Sequence, residues 1–278
     1  MLYQRQKFLL TFLQAFGGEL SETDCQNLVF LYCQSNQRDF YDFFPGKLGP
    51  YSFVLSEDKG ALTRKEMLKA SENYLLSESA ISIVEEYDAK EKALLFQFRD
   101  QLNGVRGQAL IQKTLDEYPF SEYSKASQVA TENGSMLYSI GYEGMTIDHF
   151  LSILISSHIE VLFDVRGNPL SRKFGFSKTK LKECTQAVGI NYVHLPGLGI
   201  PSANRKNLTT NEDLFKLFDR YYEETLATAT DTLNIIIDMV RDNHPSVLLC
   251  FEADYRLCHR SSICKKIYEL SGITATHL

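Results

Sequence analysis

Apolar positions in the first part of the chain recur at helical spacing. Phe8, Leu9, Phe12, Leu13 and Phe16 form one stripe, and Gly17-Gly18 ends it, because glycine readily takes the left-handed conformation at a helix C-terminus. Ser21 then stands as an N-cap, with Asp24 three residues on, for a second helix through Leu28, Val29, Leu31 and Tyr32. An aromatic stretch follows from Tyr41 to Phe53, where Gly49-Pro50 breaks the chain and Pro50 suits the first turn of a third helix. The mixed polar and apolar segment Glu66 to Ser77 predicts a small β-wing. A charged helical region then runs from Ala80 to Glu117, with an interruption at 103–107. Three helices followed by a wing predict a mainly helical, winged-helix-like recognition domain over residues 1–120.

Residues 121–135 are polar and without apolar periodicity, and they read as a linker. After it the period changes. Met136 to Ile140 is strand-like, Thr146 caps an apolar helix to Ile155, and Glu160 to Phe163 is a second strand. Lys178 to Val188 reads as helix and Asn191 to Leu195 as strand. Asn211 to Asp242 reads as one long or two shorter helices, Ser246 to Cys250 as strand, and a helix begins near Ser261. This alternation predicts an α/β domain over residues 136–278 with a mostly parallel, Rossmann-like sheet. Ligands in such sheets sit beyond the carboxyl ends of the strands. That rule selects Gly141-Tyr142-Glu143-Gly144, Asp164-Val165-Arg166-Gly167-Asn168, the segment His194 to Gly199, and above all the stretch Cys250 to Arg260.

A length of 278 residues suits two ordinary domains, and the 44% apolar and 23% charged composition is that of a globular protein. No apolar run is long enough to cross a bilayer, and Met1 to Lys7 carries no secretory core, so a cytoplasmic location without a membrane partner is expected. Net charge of -6 argues against wholesale coating of nucleic acid but leaves room for a locally basic face. Of the six cysteines none forms a C-x-x-C pair, which favours free thiols. Cys250, Cys258 and Cys264 cluster with His259, but their spacing matches no common zinc module, so neither a metal nor another cofactor is expected. Dinucleotide, Walker, H-E-x-x-H and G-x-S-x-G motifs do not occur.

Several motifs resemble the domain of unknown function 488 family. They are Ser139-Ile140-Gly141-Tyr142-Glu143-Gly144, Asp164-Val165-Arg166 with Asn168-Pro169-Leu170-Ser171-Arg172-Lys173 and Gly175-Phe176-Ser177, then Gly189 to Leu195, and Leu249-Cys250-Phe251-Glu252 with Cys258-His259-Arg260. The resemblance covers residues 136–278 and implies a site without implying a reaction. The opening helix pair, the aromatic loop and Gly49-Pro50 resemble Panacea-type antitoxin-like domains, which would imply a role in bacterial stress or phage defence. Lys59, Arg64, Lys65 and Lys69 supply some positive charge there, and Glu57, Asp58 and Glu66 offset it, so a DNA-reading helix and a solvated helix face both remain open.

The residue types suggest chemistry on an anion. Arg166, Arg172, Lys173, Arg205 and Arg260 offer more cation than a structural pair with Asp164 requires, and guanidinium forks suit phosphate. Tyr142, Phe174, Phe176 and Tyr255 either stack a base or pack the core. Glu252 and Glu143 are the candidate acid–base carboxylates, and Cys258, beside His259 at a helix start, is a candidate reactive thiol. Cys250 and Arg256 have the spacing of a cysteine-phosphatase loop, but Phe-Glu-Ala-Asp-Tyr between them is bulky and doubly acidic where a dianion would sit. His194 reads as an oriented structural histidine or a proton shuttle. The expectation is an enzyme, a hydrolase or transferase, acting on a nucleotide or nucleic acid component. Asp164, Arg166, Arg172 and Arg260 would hold phosphate, and the N-terminal domain would recognise nucleic acid, a protein partner or a second copy. The alternative is a non-catalytic anionic-ligand sensor or DNA-binding regulator.

Overall fold

The computed structural model describes residues 2–102, 104–119, 136–205 and 210–278, with the side chains of Ser202 and Arg205 outside that description. The chain divides into two compact units, Met1–Glu122 and Tyr123–Leu278. The segment read as a linker, 121–135, lies outside the described residues.

The first unit is mainly helical. Helix α1 (Gln4–Ala15) buries nearly its whole circumference, because Phe8 to Leu13 pack on every side. Strand β1 (Glu19–Leu20) leads to α2 (Glu22–Ser35), where the Ser21 hydroxyl accepts the Asp24 N–H as the sequence suggested. The aromatic stretch folds differently from expectation. Pro50 does not open a helix; it lies in a hairpin of β2 (Phe44–Gly46) and β3 (Gly49–Tyr51), opposite Pro45. The two-residue loop between Gly46 and Gly49 drives this, since Gly49 takes a φ of +105°. Helix α3 (Phe53–Arg64) starts instead under a Ser52 cap. Residues Leu68 and Leu76 then bridge in antiparallel fashion and β4 (Tyr74–Leu75) pairs with β1. Helices α4 (Ile81–Glu85), α5 (Ala89–Gln101) and α6 (Gly107–Glu117) complete the unit.

The second unit is α/β with a five-stranded parallel sheet. Its elements run β5 (Leu137–Gly141), α7 (Ile147–Ser156), β6 (Val161–Asp164), α8 (Lys178–Ala187) and β7 (Asn191–His194). They continue with α9 (Asn211–Arg220), a π-helical turn at Tyr221–Leu226, α10 (Thr230–Arg241), β8 (Ser246–Cys250), α11 (Arg260–Ser271) and β9 (Ala275–His277). The spatial order is β7-β6-β8-β5-β9. β5 and β8 are buried at every position, so they read as continuous apolar runs rather than alternating ones. β9 adds a fifth strand to the four the pattern predicts: its three residues pair with the start of β5, and their mixed composition carries no strand signal. Among the described residues no helix is long and apolar enough to cross a membrane.

Candidate functional site

Register places the chemistry-bearing strand ends side by side. Gly141 lies opposite Cys250, and Asp164 lies opposite both Leu249 and His194. The chain leaves β6 toward β7 on one flank and leaves β8 toward β9 on the other, so the order reverses between these two neighbours. In open α/β sheets such a reversal is where ligands usually bind, beyond the carboxyl ends of the strands. Asp164-Val165-Arg166 forms one wall and Cys250 to Arg260 the other, tied by the Val165 N–H donating to the Leu249 carbonyl at 3.2 Å.

Asp164 and Arg166 form a buried, two-pronged ion pair. Arg166 Nε donates to Asp164 Oδ1 at 2.7 Å and Nη2 to Oδ2 at 2.6 Å, while Tyr192 adds its hydroxyl to Oδ2 at 2.6 Å. Nη1 of Arg166 donates to the Tyr142 hydroxyl at 3.1 Å and to the Phe176 carbonyl at 2.9 Å. Four of the five guanidinium hydrogens are thus used inside the protein, which makes this pair a framework between loops. Tyr142 and Phe176 are buried and stack on each other with ring centroids 4.2 Å apart. His194 Nε2 lies 2.8 Å from the Arg166 carbonyl, an oriented position. Arg172 is exposed, and among the described residues no hydrogen bond or ion pair ties it to this wall. The Arg205 side chain lies outside the described residues.

The loop after β8 crosses the end of β5 at close range. A Cβ on Gly141 would fall 1.8 Å from the Glu252 carbonyl oxygen, so only glycine admits the crossing. Glu143 braces the same loop: its carboxylate accepts the Ala253 N–H at 3.1 Å. Arg256 is exposed and pairs with Asp254 at 2.8 Å, turned to its own loop rather than to Cys250. Beneath the loop sit Cys250, Cys258, His259 and Arg260, all buried. Cys250 Sγ lies 3.2 Å from Glu252 Oε2 and 3.6 Å from His259 Nδ1, and Cys258 Sγ lies 3.9 Å from the same nitrogen. The two sulfurs and one nitrogen of His259 all lie within 4.8 Å of one another. His259 Nε2 faces the Val165 carbonyl at 3.3 Å, and the ring of Tyr221, from the π-helical turn, stands edge-on to the imidazole. Arg260 Nη2 donates to the Glu252 carbonyl at 2.7 Å, whereas its Nε and Nη1 are buried with no partner among the described residues.

These groups hold different charges because their surroundings differ. A hydrogen bond with Cys258, then burial, pushes the Cys250 thiol well up. Burial pushes Cys258 up as well, but the hydrogen bonds from Cys250 and His259 and the charges of His259 and Arg260 outweigh it and hold the thiol well below its ordinary range. Burial and the neighbouring Cys258 raise the half-buried Glu252 carboxyl. Cys250 therefore stays protonated where a phosphatase nucleophile would be ionised.

Of the residues singled out in the sequence, the structure assembles Glu252, Cys258, His259 and Arg260 around one centre, with Cys250 added. It sets Asp164 and Arg166 beside that centre as a closed pair and Glu143 as a brace on the loop. Tyr221 escaped the sequence reading, and Tyr192 stood in a family motif without a role; it sits two residues before His194 on a strand, so its hydroxyl shares the His194 face, which is the signal that would have given it one. In the first unit two of the four candidate cations are locally matched. Lys59 lies 3.5 Å from Glu22 and over the Tyr74 ring, and Arg64 pairs with Glu57 at 2.9 Å.

No curated protein and no solved structure matches the chain. Residues 146–267 match the family model described as Domain of unknown function DUF488, and they contain β6, β8, the start of α11 and the whole Cys250 to Arg260 stretch. Over these residues the C-terminal part of the chain is similar to the DUF488 family.

Proposed function

We propose that the second unit binds a phosphate-bearing ligand, a nucleotide or a nucleic acid component, under the Cys250 to Arg260 loop and acts on it as a hydrolase or transferase. The observation that carries this reading is Arg260, whose Nε and Nη1 are buried without partners among the described residues. Buried polar groups are nearly always satisfied, so two unmet guanidinium nitrogens mark a place for an acceptor, and a phosphate edge fits that fork. Glu252 stands within the same cluster as the acid–base group, and Cys258 and His259 shape its floor. Phe251, with substantial exposure on the loop, offers its ring to a base, and Tyr255 offers the face that His277 does not stack on.

A specific observation also favours a non-catalytic sensor of the same ligand: Glu143 and Arg166 are committed to structural contacts, which leaves one carboxylate where a paired acid and base were expected. In either case the first unit would serve as the contact with nucleic acid, a protein or a second copy.

Thermal-shift screening of the full chain against nucleotides and short oligonucleotides tests the binding, because a specific ligand raises the Tm by mass action. Arg260→Lys keeps the charge and loses the fork, and it should abolish the shift. No shift with any phosphate-bearing probe overturns the reading. Glu252→Gln separates the two versions: an enzyme loses turnover and keeps the shift, whereas a sensor keeps its ligand response unchanged.

A further inference from the structure

We propose that Cys250, Cys258 and His259 form a binding site for a thiophilic divalent ion of the zinc class. The site goes beyond the anion-binding reading and stands independently of it. The spacing matches the coordination chemistry. Zinc–sulfur bonds of about 2.3 Å and zinc–nitrogen bonds of about 2.0–2.1 Å at tetrahedral angles place sulfur and nitrogen about 3.6 Å apart and two sulfurs about 3.8 Å apart. The two sulfur–nitrogen separations here are 3.6 and 3.9 Å, and all three donor atoms lie within 4.8 Å of one another. An ion therefore fits once the two sulfurs close on each other by at most about 1 Å.

The histidine is oriented for the task by a separate contact. Nδ1 faces the two sulfurs, while Nε2 is set 3.3 Å from the Val165 carbonyl. A ligating imidazole commonly donates its second ring N–H to a backbone carbonyl, which fixes the tautomer and leaves the other nitrogen's lone pair for the metal. Tyr221 stands edge-on against the ring and limits its rotation. Cys250 ends a central strand, and Cys258 and His259 are the last, buried residues of the loop, directly before α11. Two thiolates neutralise a divalent ion, and Glu252 and Arg260 remain as opposed charges beside it. The Glu252 carboxylate, 3.2 Å from Cys250 Sγ, is the further oxygen donor within reach of a fourth position. Cys264, one turn into α11, is buried but is not part of the set.

Full-length protein, purified after growth with added zinc, should contain about one zinc per chain by elemental analysis. After stripping with chelator, Co2+ should give the thiolate-to-metal charge-transfer band and the intense visible absorption of a tetrahedral site, and zinc should displace it. Cys258→Ser and His259→Ala should each lower metal content at least tenfold, while Cys264→Ser keeps it. Because both substitutions fall on buried residues, far-ultraviolet circular dichroism should accompany them, and the cobalt spectrum of the unsubstituted chain carries the test if they unfold. Folded unsubstituted protein that holds no stoichiometric zinc and gives no thiolate–cobalt band overturns the proposal, as does a Cys250–Cys258 disulfide in its place. Arg260→Lys should retain the ion, so loss of anion binding with metal kept separates failure of the functional reading from failure of this one.

Discussion

Asp164→Asn is the substitution that most directly tests how the strand-end wall is held. The carboxylate is fully buried and takes hydrogen bonds from Arg166 Nε at 2.7 Å, Arg166 Nη2 at 2.6 Å, the Arg166 backbone N–H at 3.2 Å and the Tyr192 hydroxyl at 2.6 Å. Asparagine keeps the shape, removes the charge and turns an NH2 toward at least one donor. Arg166, only 6% exposed, becomes an uncompensated buried cation. Removing one partner of a buried pair costs about 3–5 kcal/mol. In a domain of this size each kcal/mol moves the midpoint by about 2–4 °C, so the transition carrying the second unit should fall by about 6–20 °C. Tyr192→Phe, which deletes a single hydrogen bond to a charged group, should cost less, about 1.5–3 kcal/mol. Scanning calorimetry measures the midpoint, and hydrogen exchange of the β6 and β8 amides assigns the transition to this unit. The double variant Asp164→Asn with Arg166→Met removes the stranded cation and should recover stability relative to Asp164→Asn alone. A loss below about 1 kcal/mol, or a double variant whose losses simply add, would show that the pair is not the coupled unit argued here.

Gly141→Ala should cost about 1–3 kcal/mol through a clash of its Cβ with the Glu252 carbonyl, and it should raise the exchange rate of the Ala253 amide; an unchanged amide would place the loop elsewhere. In the first unit, Asp58 gathers Arg5, Gln6 and Tyr41, so Asp58→Ala strands the buried Gln6 amide nitrogen and leaves the Tyr41 hydroxyl with the Arg5 carbonyl. Its expected cost is about 2–4 kcal/mol by denaturant midpoint, with little of that from the Arg5 ion pair, which is one-third exposed. A loss confined to a few tenths of a kcal/mol would mean that water satisfies the Gln6 amide.

What the sequence makes legible follows from how local the cause is. Ser21 and Thr146 announce their helices because a cap acts over three residues, and the apolar runs of β5, β6 and β8 announce strands because they are buried on both faces. Pro50 misleads because proline at a helix start and proline on an outer hairpin strand have the same local signature, and the choice is made by the left-handed Gly49 next to it. β9 is silent because its pairing with β5 is set by tertiary contact alone. The strand-end rule selects the candidate site, but roles within it depend on partners distant in sequence. Glu143 becomes a brace through Ala253, and Arg166 is absorbed by Asp164, Tyr142 and Phe176. The cysteine spacing resembles no zinc module for the same reason: the ligand set is closed by a strand end meeting a helix start across a loop that the fold, not the spacing, turns back.

The buried ion pair and the cysteine–histidine cluster are linked through one residue. Val165 lies between Asp164 and Arg166; its N–H donates to the Leu249 carbonyl and its own carbonyl faces His259 Nε2. The pair fixes the backbone on both sides of Val165, since Asp164 also accepts the Arg166 N–H. An apolar pair at this place would pack as well and often gives equal stability. It would not hold the Val165 carbonyl by hydrogen bonds on either flank, and the imidazole would lose the contact that sets its tautomer. The cost of burying two charges at the end of β6 is therefore explained by what it orients beside β8: a histidine whose other nitrogen faces two sulfurs, next to an arginine whose Nε and Nη1 have no partner among the described residues.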